Sequence, residues 1–203
     1  MNKWNIIYFL IVLFTSCGIA NHSRFTYYKQ VLKIEEFRTD GVYYRFSEFH
    51  GGNGDDRYFA GLYFFYKDGT VISNSVKMKN SLDKDVASKM TNDMYHAVEV
   101  AQNSGGAYIV KEDSLKIQIF GGTQQRTLYS LDILEFLFFV NKYNSSIKFV
   151  SSFCNWCPKN GNNDSLVLIP NPEYNFLPLT NKPDSSKLWF KKTKWYKKEV
   201  GAK

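Results

Sequence analysis

Two cysteines three positions apart, Cys154 and Cys157 in FCNWCPKNGNND, are the residues whose type and spacing most directly suggest chemistry. The spacing suits a local disulfide, two free thiols, a redox dithiol or half of a metal site. A redox pair needs a thiolate of lowered pKa, typically at a helix N-terminus, whereas Pro158, Lys159, Asn160 and Gly161 read as a loop between strands. A zinc site needs two more ligands at short spacing, and none stands nearby. No metal and no cofactor is expected. The Gly-rich HGGNGDD lacks the Gly-Lys-Ser/Thr ending of a phosphate loop. Asn53, Asp55 and Asp56 lack the spacing of a calcium loop, so a plain hairpin loop is expected there. His22, His50 and His96 lie far apart in sequence, and no Gly-x-Ser-x-Gly elbow is present. No catalytic residue is assigned. Carboxylates distant in sequence can still converge, which keeps an envelope hydrolase acting on a cell-wall or polysaccharide substrate as the alternative function.

The N-terminus bears on location rather than chemistry. Lys3 precedes an apolar run from Trp4 to Phe14, and about twenty apolar residues are needed for a helix to cross a bilayer. A basic start, a short apolar centre and small residues at its end describe a secretory signal peptide. Thr15-Ser16-Cys17 then resembles the lipobox of bacterial lipoproteins, with Phe14 where Leu, Val or Ile is more usual. The resemblance implies cleavage after Ser16 and lipidation of Cys17, a membrane partner for the mature chain. Acyl chains contribute about 0.8 kcal/mol per buried methylene, and two or three of them hold a protein on a membrane almost permanently. Gly18 in place of a retention Asp implies transport to the outer membrane of a Gram-negative bacterium, facing the periplasm. In that oxidising compartment Cys154 and Cys157 are most simply a disulfide, one closing so short a loop that its entropic contribution is small. Asp113-Ser114-Leu115 and Asp164-Ser165-Leu166 resemble an O-glycosylation signal of some envelope proteins, a pattern short enough to arise by chance.

The domain organisation follows: signal peptide over 1–16, lipidated tether over 17–30 and one domain over 31–203. The net charge of +7 becomes +6 when the leader removes one lysine and no acid. Lysines and aromatics interleave in KKTKWYKK, as in a nucleic-acid patch, but an exported lipoprotein rarely meets nucleic acid, and none is expected as a partner.

Aromatics make up 17% of the chain, and Tyr, Phe and β-branched residues favour pleated surfaces. In TDGVYYRFSEF, Val42, Tyr44 and Phe46 alternate with Tyr43, Arg45 and Ser47 as on a two-faced strand. GLYFFYKDGTVISNSVKM reads as a hairpin turning at Lys67-Asp68-Gly69-Thr70, its first arm apolar on both faces. A second hairpin turns at Glu112-Asp113, and Asn144-Ser145-Ser146 turns between later strands. Val86, Met90, Met94, Ala97, Val98 and Ala101 predict one helix over 83–104. DSLVLI supplies another strand, and the Pro-rich PNPEYNFLPLTNKPDSS is expected to wrap the outside. SKLWFKKTKWYKK should start as a helical turn and finish as a strand with Trp195 inward.

These elements predict a mainly β fold with one inserted helix, an antiparallel barrel or sandwich. The segments DGVYY, FYKDGTV, GAYIVKEDSLKIQI and KPDSSKLWFKKTKWYKK resemble the small lipocalin-like and calycin-like domains of bacterial lipoproteins, without the early Gly-x-Trp of lipocalins proper. The resemblance implies a non-catalytic domain binding an apolar small molecule inside or an envelope protein outside. Tyr44, Phe46, Tyr63, Phe65, Ile117, Ile119 and Trp189 are the expected inward, ligand-binding candidates. In a small barrel these side chains simply fill the lumen, and a protein-docking module would show an exposed aromatic patch instead.

Overall fold

The computed structural model describes residues 25–29, 37–50, 56–78, 105–125, 128–143, 145–154 and 172–201. The expected leader, Cys17, most of the expected tether, HGGNGDD from Gly51 to Asp55, the helix expected over 83–104, DSLVLI, Cys157 and the histidine side chains lie outside them. Eight antiparallel strands follow one another around a closed barrel. They are β1 (Gly41–His50), β2 (Asp56–Phe65), β3 (Thr70–Met78), β4 (Gly105–Lys111), β5 (Ser114–Gln125), β6 (Leu128–Asn141), β7 (Ser146–Cys154) and β8 (Glu173–Pro178). β1 pairs with both β2 and β8, which closes the ring and removes both unpaired edges.

Backbone chemistry sets the turns at the end where β1 begins. Gly69 joins β2 to β3 with a φ of 81°, a left-handed conformation open to glycine, and its carbonyl accepts from the Tyr108 N–H at 2.9 Å. Glu112 turns β4 into β5 at a φ of 57°, and Ser145 turns β6 into β7 at 47°. Val150 is an extra residue in β7, because the register shifts between Phe138, opposite Phe149, and Leu137, opposite Ser151.

Strand side chains alternate between two faces, and here both are buried over much of the barrel. One cluster draws on all eight strands: Tyr43, Tyr63, Phe65, Val71, Tyr108, Leu115, Ile117, Ile119, Phe138, Val140, Ile147 and Tyr174 among others. That is the lumen. The other holds Val42, Ala60, Leu62, Phe64, Ile72, Ala107, Phe120 and Ile133 from the outer faces, packed under Phe25, Leu188 and Phe190 from the two ends of the chain.

The C-terminal strap covers this outer face as two 3-10 turns, Ser185–Lys187 and Trp189–Lys192, followed by α1 (Lys194–Gly201). It is tied to the β2–β3 turn. Lys191 Nζ donates to Asp68 Oδ2 at 2.7 Å, the Tyr66 hydroxyl donates to the Pro183 carbonyl, and Lys182 Nζ donates to the Phe65 carbonyl at 2.9 Å. Segments widely separated in sequence, FYKDGTV and KPDSSKLWFKK, therefore form one lock.

Three expectations are corrected. PNPEYNFLP contains β8, the strand that closes the barrel, because Tyr174 and Phe176 alternate inward and Pro178 falls at its last position, where a missing N–H is tolerated. The chain ends as a helix rather than a strand, since Trp195 and Tyr196 both pack against the outer cluster from one helical turn. Phe25, within the stretch read as a tether, is fully buried and contacts Phe120, Phe190, Tyr28 and Trp195. Among the described residues no helix is long and apolar enough to cross a membrane.

Candidate functional site

The lumen is packed solid through its lower half. Tyr63 on β2 meets Phe138 on β6 edge-on at 5.5 Å. In a ring of eight these strands stand opposite each other, so that contact crosses the whole barrel. Tyr174 adds ring contacts to both, at 5.2 Å and 6.0 Å, and Phe149 meets Phe138 at 5.6 Å. Below them Phe37 stacks flat on Tyr43 at 5.4 Å and sets its edge against Phe65 at 5.0 Å. It plugs the end at which β1 begins.

On β1 to β3 the layer above this aromatic floor is no longer aromatic. Arg45 continues the inner face of β1 from Tyr43, and its register partner on β2 is Gly61, whose partner on β3 is Ser75. The Arg45 charge stands close enough to the Tyr174 phenol to lower its pKa. Tyr63 stands beside it, ring edge against ring. Burial raises the pKa of both tyrosines, more than the neighbouring Arg45 lowers that of Tyr174. Both stay neutral.

Outside, the strap and the N-terminal segment give out over β6 and β7. Phe139 is 49% exposed, Val150 46%, Phe153 57%, and Tyr143 at the turn is fully exposed. Phe139 and Phe153 share the outward parity, Lys148 lies opposite Phe139, and the bulged Val150 adds a further apolar side chain. Large side chains of this kind seldom line up on a surface that meets only water. Lys142 beside the turn pairs with Asp113 at 3.5 Å.

The structure places the sequence candidates as follows. Tyr63, Phe65, Ile117 and Ile119 lie in the lumen cluster. Tyr44 and Phe46 do not: they meet each other edge-on at 5.5 Å in the outer cluster, because the inner face of β1 is the Tyr43–Arg45 face. Trp189 is on the strap with its ring 4.9 Å from Phe120, outside the barrel, and its indole N–H is buried with no partner among the described residues. Cys154 ends β7 opposite Leu134, but its side chain and Cys157 lie outside the described residues, as does Cys17, the expected lipidation site. Among the described residues no group of three His, Cys, Asp or Glu side chains is arranged to hold a metal ion. Sequence reasoning missed Arg45, whose signal was a cation set between the aromatics of YYRF. It also missed Phe139, whose signal was a run, LFFV, apolar on both faces at once. Comparison with protein-family models, curated proteins and solved structures finds no match to this chain.

Proposed function

We propose that the protein is a non-catalytic, lipid-anchored component of a Gram-negative cell envelope whose barrel is a docking module, with the bare face of β6 and β7 as its contact surface for another envelope protein. The observation that carries this reading is the pairing of a lumen bridged by Tyr63 and Phe138 with an outer strip of exposed Phe139, Tyr143, Val150 and Phe153. Aromatic residues at the centre of a patch are those that dominate binding energy at protein interfaces. A lumen already occupied by its own rings leaves the lower barrel no room for a carried apolar molecule.

The anchor rests on Thr15-Ser16-Cys17. Phe25 follows Cys17 by eight residues, so an extended link holds the fold within about 28 Å of the lipid. Phe25 sits beside the C-terminal strap, where Lys192, Lys194, Lys197 and Lys198 are exposed. Such a basic face suits an anionic membrane surface.

Fractionation of cells carrying Cys17→Ala tests the location: loss of the lipid-modified mature form supports it, and unchanged maturation and membrane attachment refutes it. The docking role is tested by native electrophoresis of membranes from cells carrying Phe139→Ser with Phe153→Ser. The wild-type chain should migrate in a larger complex and the double variant alone. Equal migration of the two overturns the docking surface.

A further inference from the structure

We propose that the lysine face of α1 is a lipid-contact surface that lays the barrel on a membrane carrying anionic phospholipid head groups. The proposal rests on the lipid-anchored reading of Cys17 and takes it further, since it names the face that meets the lipid and the head-group charge that holds it there. Three observations meet on this face. The first is the sorting of α1 into two sides. Lys194, Lys197 and Lys198 recur at spacings of three and four, so they share one side of the helix. All three are exposed, as is Lys192 just before the helix. Trp195 and Tyr196 occupy the side that packs on the outer cluster.

The second is that the charge on this face is not compensated. The one acid of α1, Glu199, stands four residues after Trp195 and accepts from the Tyr28 hydroxyl at 2.6 Å. Lys191 is paired with Asp68 at 2.7 Å. Among the described residues none of Lys192, Lys194, Lys197 and Lys198 has an ion-pair partner. A lysine held close to an anionic bilayer strengthens attachment by about fivefold, and the attraction fades over about one Debye length, roughly 10 Å at 0.1 M salt.

The third is the place where the anchored end of the chain joins the fold. Gln118, buried on the outer side of β5, accepts through Oε1 from the Thr26 and Tyr27 N–H groups at 2.9 and 3.2 Å and donates through Nε2 to Glu135 at 2.7 Å. Phe25 sets its ring against Phe190 at 5.1 Å and Trp195 at 6.2 Å, and the Tyr28 ring lies 5.2 Å from that of Tyr196. Backbone hydrogen bonds and rings therefore fix residues 25 to 28 beside α1. Phe25 follows Cys17 by eight residues, so a lipid on Cys17 keeps α1 close to the bilayer, where a weak surface contact forms at high effective concentration.

The test is a lysine-acetylation footprint, read by mass spectrometry, of the full chain added to preformed phosphatidylcholine vesicles, with and without a third of the lipid replaced by phosphatidylglycerol. On the anionic vesicles Lys192, Lys194, Lys197 and Lys198 should react at least about threefold more slowly than on the neutral ones, and high salt should erase the difference. Lys148, exposed on β7, should react alike on both. Lys194→Gln with Lys197→Gln and Lys198→Gln leaves the packed side of α1 intact and should remove the protection of Lys192. The mass of the N-terminal peptide in the same spectra reports lipid on Cys17, so a failed anchor and a failed face are read separately. Equal rates on the two kinds of vesicle, equal slowing of Lys148, or protection of Lys192 that survives the triple substitution overturns the proposal. Protection by a soluble anionic polysaccharide, polygalacturonate, and not by phosphatidylglycerol vesicles assigns the face to polysaccharide and overturns it equally.

Discussion

Truncation of Phe138 to alanine distinguishes a packed lumen from a carrier's cavity. Phe138 is 1% exposed and touches the rings of Tyr63, Phe149 and Tyr174 at 5.5, 5.6 and 6.0 Å. Phe→Ala in a packed core costs about 3–5 kcal/mol, made of lost transfer energy and the void left behind. Three ring pairs, each contributing about 0.5–1.5 kcal/mol beyond area, place Phe138→Ala toward the upper part of that range, near 4 kcal/mol. For a chain of this size each kcal/mol lowers Tm by about 2–4 °C, so a fall of about 8–16 °C is expected. The assays are urea unfolding followed by tryptophan fluorescence, and scanning calorimetry, on the full chain. The new void is lined by rings and aliphatic groups, so benzene should bind it and restore part of the loss, as small apolar molecules do in engineered dry cavities. A loss below about 1.5 kcal/mol, the range of a side chain whose surroundings collapse or were never packed, would refute the filled lumen.

Three further outcomes follow from the same contacts. Burial raises the pKa of Asp68, but the Lys191 ammonium and the Thr70 donors outweigh it and hold the carboxyl below the ordinary value. The stabilisation is thus present above the unfolded-state pKa of about 3.9 and is lost as pH falls through the lower folded value. In urea titrations Asp68→Asn should cost about 1 kcal/mol near neutral pH, and the gap from wild type should close in strong acid; a gap independent of pH contradicts the lock. Glu112→Gly should stabilise by up to about 1 kcal/mol, since a side chain at a φ of 57° is strained where glycine is not; a measurable loss of stability would show that the turn is held by its side chain. Burial raises the pKa of Tyr63, Tyr108 and Tyr43 well above the ordinary phenol value. Above about pH 10 the unfolded chain ionises these groups and the folded one does not, so stability should fall as pH rises. Phenolate absorbance should show them titrating only as the barrel opens, and titration in the folded state contradicts their burial.

Much of the barrel was legible in the sequence because hairpins leave local marks. Lys67-Asp68-Gly69, Glu112-Asp113 and the Ser145 turn sit between runs rich in Tyr, Phe and β-branched residues, and β1 to β7 follow from those runs. The inner side of β1 was not legible. Val42, Tyr44 and Phe46 are as apolar as any lumen residue because the chain's own ends bury them, so hydrophobicity alone could not choose between the faces. β8 was hidden by its prolines, and the strap's helix by lysines that interrupt an apolar stripe of only one turn. Phe25 had no periodic partner in sequence, since its neighbours Phe120, Phe190 and Trp195 come from elsewhere in the chain. The exposed strip was equally silent: Phe139 and Phe153 read like core residues, and only the fold shows that nothing described covers them.

The most direct test of the docking role is photo-crosslinking in living cells, with benzoylphenylalanine placed in turn at Tyr143, Phe153 and, as a control on the strap, Lys197. The account predicts a discrete adduct to one envelope protein from Tyr143 and Phe153, lost when Phe139→Ser is added, and none from Lys197. Absence of any adduct at Tyr143 and Phe153, or the same adducts from all three positions, would contradict it.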